Sequence, residues 1–567
     1  MTKFDDLPYV RPDLEAFEAE FRAALRDFGA AGSAEGQAAA FARLSSLRNG
    51  FETAASMVEI RQTRNTLDPF YEAENDFMDE AKPRVEGLES ELSAALASSP
   101  FRPELERRLG RQLFRLAELK MKTWKPEILE DLQAENRLGS EYVRLKASAR
   151  VPFEGEERNL TELLAFAESP DRGMRRRATA AIAGFYRDHE AEFDRIYDEL
   201  VRLRDAIARK LGFPNFVPLA YARLGRSDYG AEAVAGYRRQ VHATVVPLAA
   251  ALRKRQAARL GLPSLEFYDE ALEFPSGNPE PLGGAEGIVA NGLSMFAAMS
   301  KETGDFFRLL SERGLYDLET RKGKAAGGYC CYLPTERVPY IFANFNGTAE
   351  DVDTFSHECG HAFQVYRSGL AARGVPDYDW PTLEACEIHS MGMEFLAWPW
   401  MDSFFGKDAA KYRFRHLSAG ILFLPYGVLV DEFQHWVYGN PHVSPAERKA
   451  AWRGLERKYL PWRDYSGDEF LERGGFWFRQ GHIFQDPFYY IDYTLAQVSA
   501  YEFWGKAGAD RGAAWASYLS LCDLGGSESY LELLKDAGLR SPFAEGAVAA
   551  IMKPVREWLD AADDRGM

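Results

Sequence analysis

The sequence predicts a mainly α-helical protein with a small β segment set just before one chemically distinctive helix. Three observations support that class. From Asp13 to about Ala149 apolar residues recur three and four apart between charged ones, the period of helices with one face in a core. Between Tyr316 and Gly347 the chain turns Gly-rich and then β-prone. Directly after it, Asp351–Ser368 reads DVDTFSHECGHAFQVYRS, a helix carrying His357-Glu358-Cys359-Gly360-His361.

The helical half comes first in the chain. Leu14, Phe17, Phe21, Leu25 and Phe28 mark the first stripe. Further helices are expected at about Ser33–Gln62, Asp68–Leu96, Arg102–Thr123 and Glu127–Lys146, with Pro100, Pro103 and Pro126 as punctuation. Asn159-Leu160-Thr161 opens another, Ala178–Leu211 continues to a Gly212-Phe213-Pro214 break, and Ala231–Leu260 follows. Leu262 to Gly284 is a loop rich in Pro, Gly and Asp. Arginine clusters such as Arg107-Arg108 and Arg175-Arg176-Arg177 read as solvated faces or ion pairs. No chemistry-bearing motif occurs in this half. An N-terminal helical region over residues 1–165 and a catalytic region over 166–567 is the expected division.

Bulk properties narrow the function. The 567 residues are 46% hydrophobic and 13% aromatic, ample for a large core, and their length suits two lobes around a cleft. With 69 basic against 86 acidic residues the net charge is −17, which opposes nucleic acid and anionic membranes at long range. No apolar run is long enough to span a bilayer, and the acidic start MTKFDDLPYV lacks an export signal, so the cytoplasm is the expected compartment. Five cysteines, Cys330, Cys331, Cys359, Cys386 and Cys522, are too few for a disulfide framework and are expected as thiols.

The chemistry lies in the helix after the β segment. Thr348-x-x-Asp351 reads as a capping box and Gly369 as a stop. Residues four apart lie one above the other, so His357 and His361 point the same way and can each give a nitrogen to one Zn²⁺. Glu358 sits one step round the helix, where a carboxylate can take a proton from the attacking water. Two exposed histidines on a surface helix would be the plain alternative. The apolar flanks Phe355, Ala362, Phe363 and Val365 place this helix inside instead. Cys359, two residues from each histidine, projects from the other side and is expected to pack.

A third protein ligand is needed, with one position left for water. After a Gly/Pro/Asp loop, a helix from about Thr382 brings Glu384, Glu387 and Glu394 onto roughly one face. One should bind the metal and another could hold a ligand histidine from behind. His389 points well away from Glu387. Periodicity does not choose between Glu384 and Glu387.

SHECGHAF at Ser356–Phe363, Glu-x-x-Ser-x-x-x-Glu at Glu387–Glu394, RKGKAAGGY at Arg321–Tyr329 and HIFQDPFYYIDY at His482–Tyr493 together resemble one family. It is that of thimet oligopeptidase and bacterial oligoendopeptidase F, zinc peptidases of short peptides. The resemblance runs from Arg321 to about Ala500. It implies an elongated, two-lobed, mostly helical zincin whose deep channel admits extended oligopeptides, with one Zn²⁺ per chain on its floor. It maps the third ligand onto Glu387 and leaves Glu394 behind the ligands. It also implies that Tyr493 and His482 reach the substrate carbonyl. Tyr489 or Tyr490 would add a further substrate contact, with Gly327 and Gly328 in the Gly-rich loop, although the spacing from His482 differs slightly from the thimet branch. The sheet's edge strand can pair with a bound peptide.

Overall fold

The expected helices form where the spacing places them, and their ends follow local chemistry. Asp13 accepts the Ala16 N–H to start Leu14–Ala30, and Ser33 caps α1 (Ala34–Arg64) through the Gly36 N–H. Asn159 and Glu162 make a reciprocal capping box on Leu160–Ala167. The structure, a computed structural model, describes every residue except Met1, Lys322, Ala326, Ala372 and Arg373. Two positions of the Arg321–Tyr329 motif therefore lie outside the described residues.

Several boundaries differ from the periodicity. The expected Arg102–Thr123 helix is two, Arg102–Leu109 and Arg111–Thr123, broken at Gly110 with φ +90°. The Tyr378 hydroxyl fills the space a Cβ would need there, 2.6 Å away, and accepts the Leu113 N–H at 2.9 Å. Ala178–Leu211 likewise falls into Arg172–Asp188 and Glu190–Lys210. α2 (Leu129–Ala147) is where expected. A short hairpin, β1 (Val151–Phe153) with β2 (Glu156–Arg158), has too brief an alternation to be read from sequence. The arginine clusters do find acids: Arg107 pairs with Glu104, and Arg175 is buried against Asp269.

The β segment is a three-stranded sheet of order β3–β5–β4. β3 (Tyr316–Glu319) runs parallel to β5 (Val338–Phe345), and β4 (Tyr329–Leu333) runs antiparallel to it with Cys331 opposite Tyr340. Among the described residues β4 pairs with no strand but β5, so it is an edge strand of the sheet. β5 is almost entirely buried and leads into α3 (Glu350–Leu370).

α3 starts differently from the expected capping box. Ala349 is the N-cap, and Asp351 instead accepts the Asn346 and Gly347 N–H groups at 2.9 and 2.8 Å, clamping the preceding turn. Gly369 does not stop the helix, which runs to Leu370. A Cβ there would come within 2.2 Å of the Tyr332 hydroxyl, so the glycine admits β4 against the helix.

α3 packs on α4 (Leu383–Leu396), and α4 packs on α6 (Tyr490–Ala509), which also contacts the long α5 (Ala409–Gly439). α5 carries Pro425 without ending, so proline does not punctuate everywhere. Gly360 on α3 lies over the His389 carbonyl and Ser390 Cα of α4, and Gly427 of α5 lies against Thr494 of α6. These close approaches stack four largely buried helices behind one group of polar side chains. Among the described residues, no helix is long and apolar enough to cross a membrane.

Candidate metal centre and active site

The helical repeat brings His357 and His361 onto one side of α3, with ring centroids 4.9 Å apart. Glu387, from the second turn of α4, enters between them. Its Oε2 lies 3.3 Å from His357 Nε2 and 3.4 Å from His361 Nε2. A tetrahedral ion with bonds of ~2.1 Å has ligand-to-ligand edges of ~3.4 Å, so these atoms are spaced for one metal of zinc's size. Among the described residues this is the only group of three potential ligands gathered closely enough to hold an ion. Burial opposes charge on Glu387, yet the imidazoles outweigh it and hold the carboxyl well below its usual range. Burial would also lower His357, but Glu387 and Glu394 lift it well above the ordinary imidazole value. The carboxylates and imidazoles of this group thus act strongly on one another.

The remaining candidates separate cleanly. Glu384 is buried and its carboxylate oxygens find no partner in this group. It lies instead near Arg226 and Asp492, which form a buried pair 2.6 Å apart. His389 is wholly buried, bonds the Ala385 carbonyl at 2.7 Å, and burial pushes its pKa down to about 4. Cys359 is packed in the core, and the Cys386 thiol donates to the Pro381 carbonyl.

Around the three ligand atoms stands a shell that orients them. Glu394, two turns after Glu387, takes His357 Nδ1 at 2.7 Å with Oε1. Its Oε2 takes His416 Nε2, also at 2.7 Å, from α5. The Trp398 indole N–H donates to His416 Nδ1 at 3.0 Å, so the imidazole proton sits on Nε2, facing Glu394. Ser390 donates to Glu387 Oε2 at 2.9 Å, and Tyr489 to Glu387 Oε1 at 2.5 Å. His416 and Trp398 carry no local signal, since they come from other elements. Ser390 was visible as the Ser of Glu-x-x-Ser, without an assigned bond.

Glu358 is buried, and its Oε2 has no hydrogen-bond partner among the described residues. Burial pushes its carboxyl pKa up, against the pull of both imidazoles. Gly328 lies beside it, where a Cβ would stand 3.4 Å from Glu358 Oε1, and Gly327 adopts φ +100° with its carbonyl held by Asn344.

The tyrosines and His482 form a second wall. Tyr493 Oη is 3.4 Å from His482 Nε2, and the Tyr489 and Tyr493 rings are 4.9 Å apart. Gln480 turns its Nε2 to His482 Nδ1 at 2.8 Å because its Oε1 accepts the Tyr426 hydroxyl at 2.9 Å. The His482 proton is thus on Nε2, and burial lowers its pKa to about 4, leaving it neutral near pH 7. Burial pushes the Tyr489, Tyr490 and Tyr493 phenols far up, so all keep their protons. Tyr489 bonds Glu387, whereas Tyr490 packs against Tyr426 and Phe423.

The chain matches the Peptidase M3 N-terminal domain over residues 4–124 and Peptidase family M3 over residues 302–553. It superimposes on an X-ray structure, at 3.1 Å, of a protein proposed to be an oligoendopeptidase F. They share 56% identity over 100% of both chains, with a TM-score of 0.98. PZ peptidase A, solved with an inhibitor, is 54% identical over 99% of this chain and 100% of its own, TM-score 0.97. A protein of Bacillus anthracis strain Ames, also proposed as an oligoendopeptidase F, is 49% identical over 100% of both, TM-score 0.93. No curated protein matches the chain.

Proposed function

We propose, for a chain that belongs to peptidase family M3 and is a metallopeptidase, that it cuts internal bonds of short, unstructured peptides using one zinc ion on His357, His361 and Glu387. The observation that carries this reading is the pair of 3.3 and 3.4 Å separations about Glu387 Oε2, beside a carboxylate with an unpartnered oxygen. A zinc ion bound there would supply Lewis acidity toward the attacking water and the scissile carbonyl.

Glu358 takes one proton from that water as its oxygen adds to the carbonyl carbon, and passes it to the amine as the C–N bond breaks. Water is consumed, two peptides leave, and Glu358 ends as it began. Its raised pKa suits a group that must both accept and release the proton. The Tyr493 hydroxyl and His482 Nε2–H donate to the oxygen on which negative charge develops. Glu394 holds the His357 ring so that Nε2 faces the centre, and Tyr489 and Ser390 hold Glu387. The outer edge of β4 pairs with an extended peptide backbone, Gly327 and Gly328 leave it room beside Glu358, and Tyr490 lines its path. We read residues 166–567 as the catalytic region, with residues 1–165 helping to enclose a channel between two lobes. A relative named as a peptidase and solved with an inhibitor supports this reading.

A peptide blocked at both ends tests the reading. Mass spectrometry should find internal cuts that a chelator abolishes and zinc restores. Release of terminal residues or dipeptides only, from unblocked peptides, would assign an exopeptidase instead. Zinc binding without hydrolysis of any peptide would leave a binding protein.

A further inference from the structure

Most buried or half-buried cations among the described residues meet a carboxylate, with Arg61 and Lys506, held by backbone carbonyls, as exceptions elsewhere in the fold. Lys449 reaches Glu190 and Asp194 at 2.5 and 2.6 Å, Lys324 reaches Asp317 at 2.7 Å, and Arg204 reaches Glu135 at 2.6 Å. Two neighbours do not. Lys146, near the end of α2, has Nζ 3.3 Å from the Arg479 carbonyl and 5.6 Å from the Tyr142 ring. Arg479 lays its guanidinium over Phe476, 4.9 Å from the ring centre. Neither makes an ion pair among the described residues, although acids outnumber bases 86 to 69 in the chain.

These cations border the reaction site. The link from Glu387 runs through Tyr489 at 2.5 Å, the adjacent Tyr493 ring, His482 Nε2 at 3.4 Å, and Gln480 at 2.8 Å from His482 Nδ1. Arg479 is the next residue. α2 is fastened to the same segment by Tyr142, which donates to the Phe478 carbonyl at 2.9 Å and stacks on Phe484 at 4.1 Å. Burial, and then Arg479, bring the Lys146 ammonium down to about 8, so it stays mostly charged near pH 7. Two like charges that act on one another, partly desolvated and without a counter-ion among the described residues, are unfavourable until an anion joins them.

We propose that Lys146 and Arg479 form a subsite for a carboxylate of the bound peptide, one step along the wall from His482. The proposal rests on the peptidase reading and deepens it: the enzyme measures a peptide from its acidic end as well as at the scissile bond. An Arg fork and a Lys point charge together suit a carboxylate better than a neutral amide. The carboxylate can be the C-terminus or a Glu or Asp side chain, and one experiment tells these apart.

Unlabelled peptides of graded length are made as C-terminal acids and as amides. A second amidated set carries Glu or Gln at the last position. Cleavage is followed by chromatography and mass spectrometry for the native enzyme and for K146M, R479M and the double variant. At the length that reaches the subsite, native kcat/KM should favour the acid over the amide, or Glu over Gln, by about tenfold or more. In the double variant that ratio should fall toward one, and K146R with R479K should restore much of it. A general folding defect lowers both members of a pair and leaves the ratio intact. A native ratio near one in both sets, or a ratio unmoved by the double variant, overturns the proposal. If no peptide is cut, the peptidase reading fails first. Calorimetric binding of the acid and amide forms to zinc-loaded E358Q protein then still decides the subsite by the same ratio.

Discussion

Gly360→Ala offers the sharpest check on how the centre is built. A Cβ at this position would stand 2.6 Å from the His389 carbonyl oxygen, 2.7 Å from Ser390 Cα and 3.0 Å from Met393 Cβ. Comfortable contact begins at roughly 3.5 Å, so α3 and α4 must part by about 0.9 Å to admit one methyl group. On a free helix face the same change would stabilise by about 1 kcal/mol through helix propensity. Overpacking costs about 1–3 kcal/mol, and two of the three atoms here are backbone that cannot rotate aside. The upper end applies, and the net effect is a destabilisation of about 2 kcal/mol. The same displacement carries Glu387 away from His357 and His361, against a tolerance of about 0.2 Å in metal–ligand distances, so zinc affinity should fall at least ~10-fold. Urea unfolding of zinc-free and zinc-loaded protein, with chelator competition for the zinc Kd, reads both quantities. A variant that is more stable and binds zinc as before would refute the packing argument, because propensity alone would then have decided the outcome.

Other expectations follow from single contacts. Glu358→Gln should keep one zinc per chain while kcat falls by at least ~10³-fold, and normal turnover would remove it as the base. Glu394→Gln should weaken zinc by about 10-fold, since His357 Nδ1 and His416 Nε2 both donate and one end of the amide cannot accept; an unchanged Kd in chelator competition would contradict this. His482 titrates near 4 when folded and near its ordinary 6.5 when unfolded. Its contribution to stability is complete above 6.5 and is lost as pH falls from there through about 4, because the unfolded chain takes up the proton first. Unfolding measured across that window should lose part of its slope in His482→Gln, and an identical slope would show that the imidazole is not held neutral.

Much of the centre was legible because it is local. The four-residue step from His357 to His361 is a property of any helix, and apolar flanks were enough to turn that helix inward. That Glu394, two turns beyond Glu387, shares its side of α4 followed from the same periodicity, though its place behind the ligands did not. The choice of Glu387 over Glu384 did not, since both lie on the same general side of α4. It came from a resemblance, and the packing of α4 between α3 and α6 turns the two carboxylates toward different neighbours. Local chemistry also misled: Thr348 and Asp351 had capping-box spacing, yet Asp351 found better donors in the turn before the helix.

By itself, then, the order of residues determined a helical body, a pair of imidazoles with a carboxylate between them, and a short list of acids to complete the set. Tertiary structure alone decided which nitrogen of His416 and His482 carries the proton, that Tyr489 and Ser390 grip Glu387, and that Lys146 reaches the segment beside His482. The physical reason is range. Helical geometry repeats every few residues and can be read along the chain, whereas these bonds join groups tens to hundreds of residues apart, brought together only when the apolar faces of several helices close on one another.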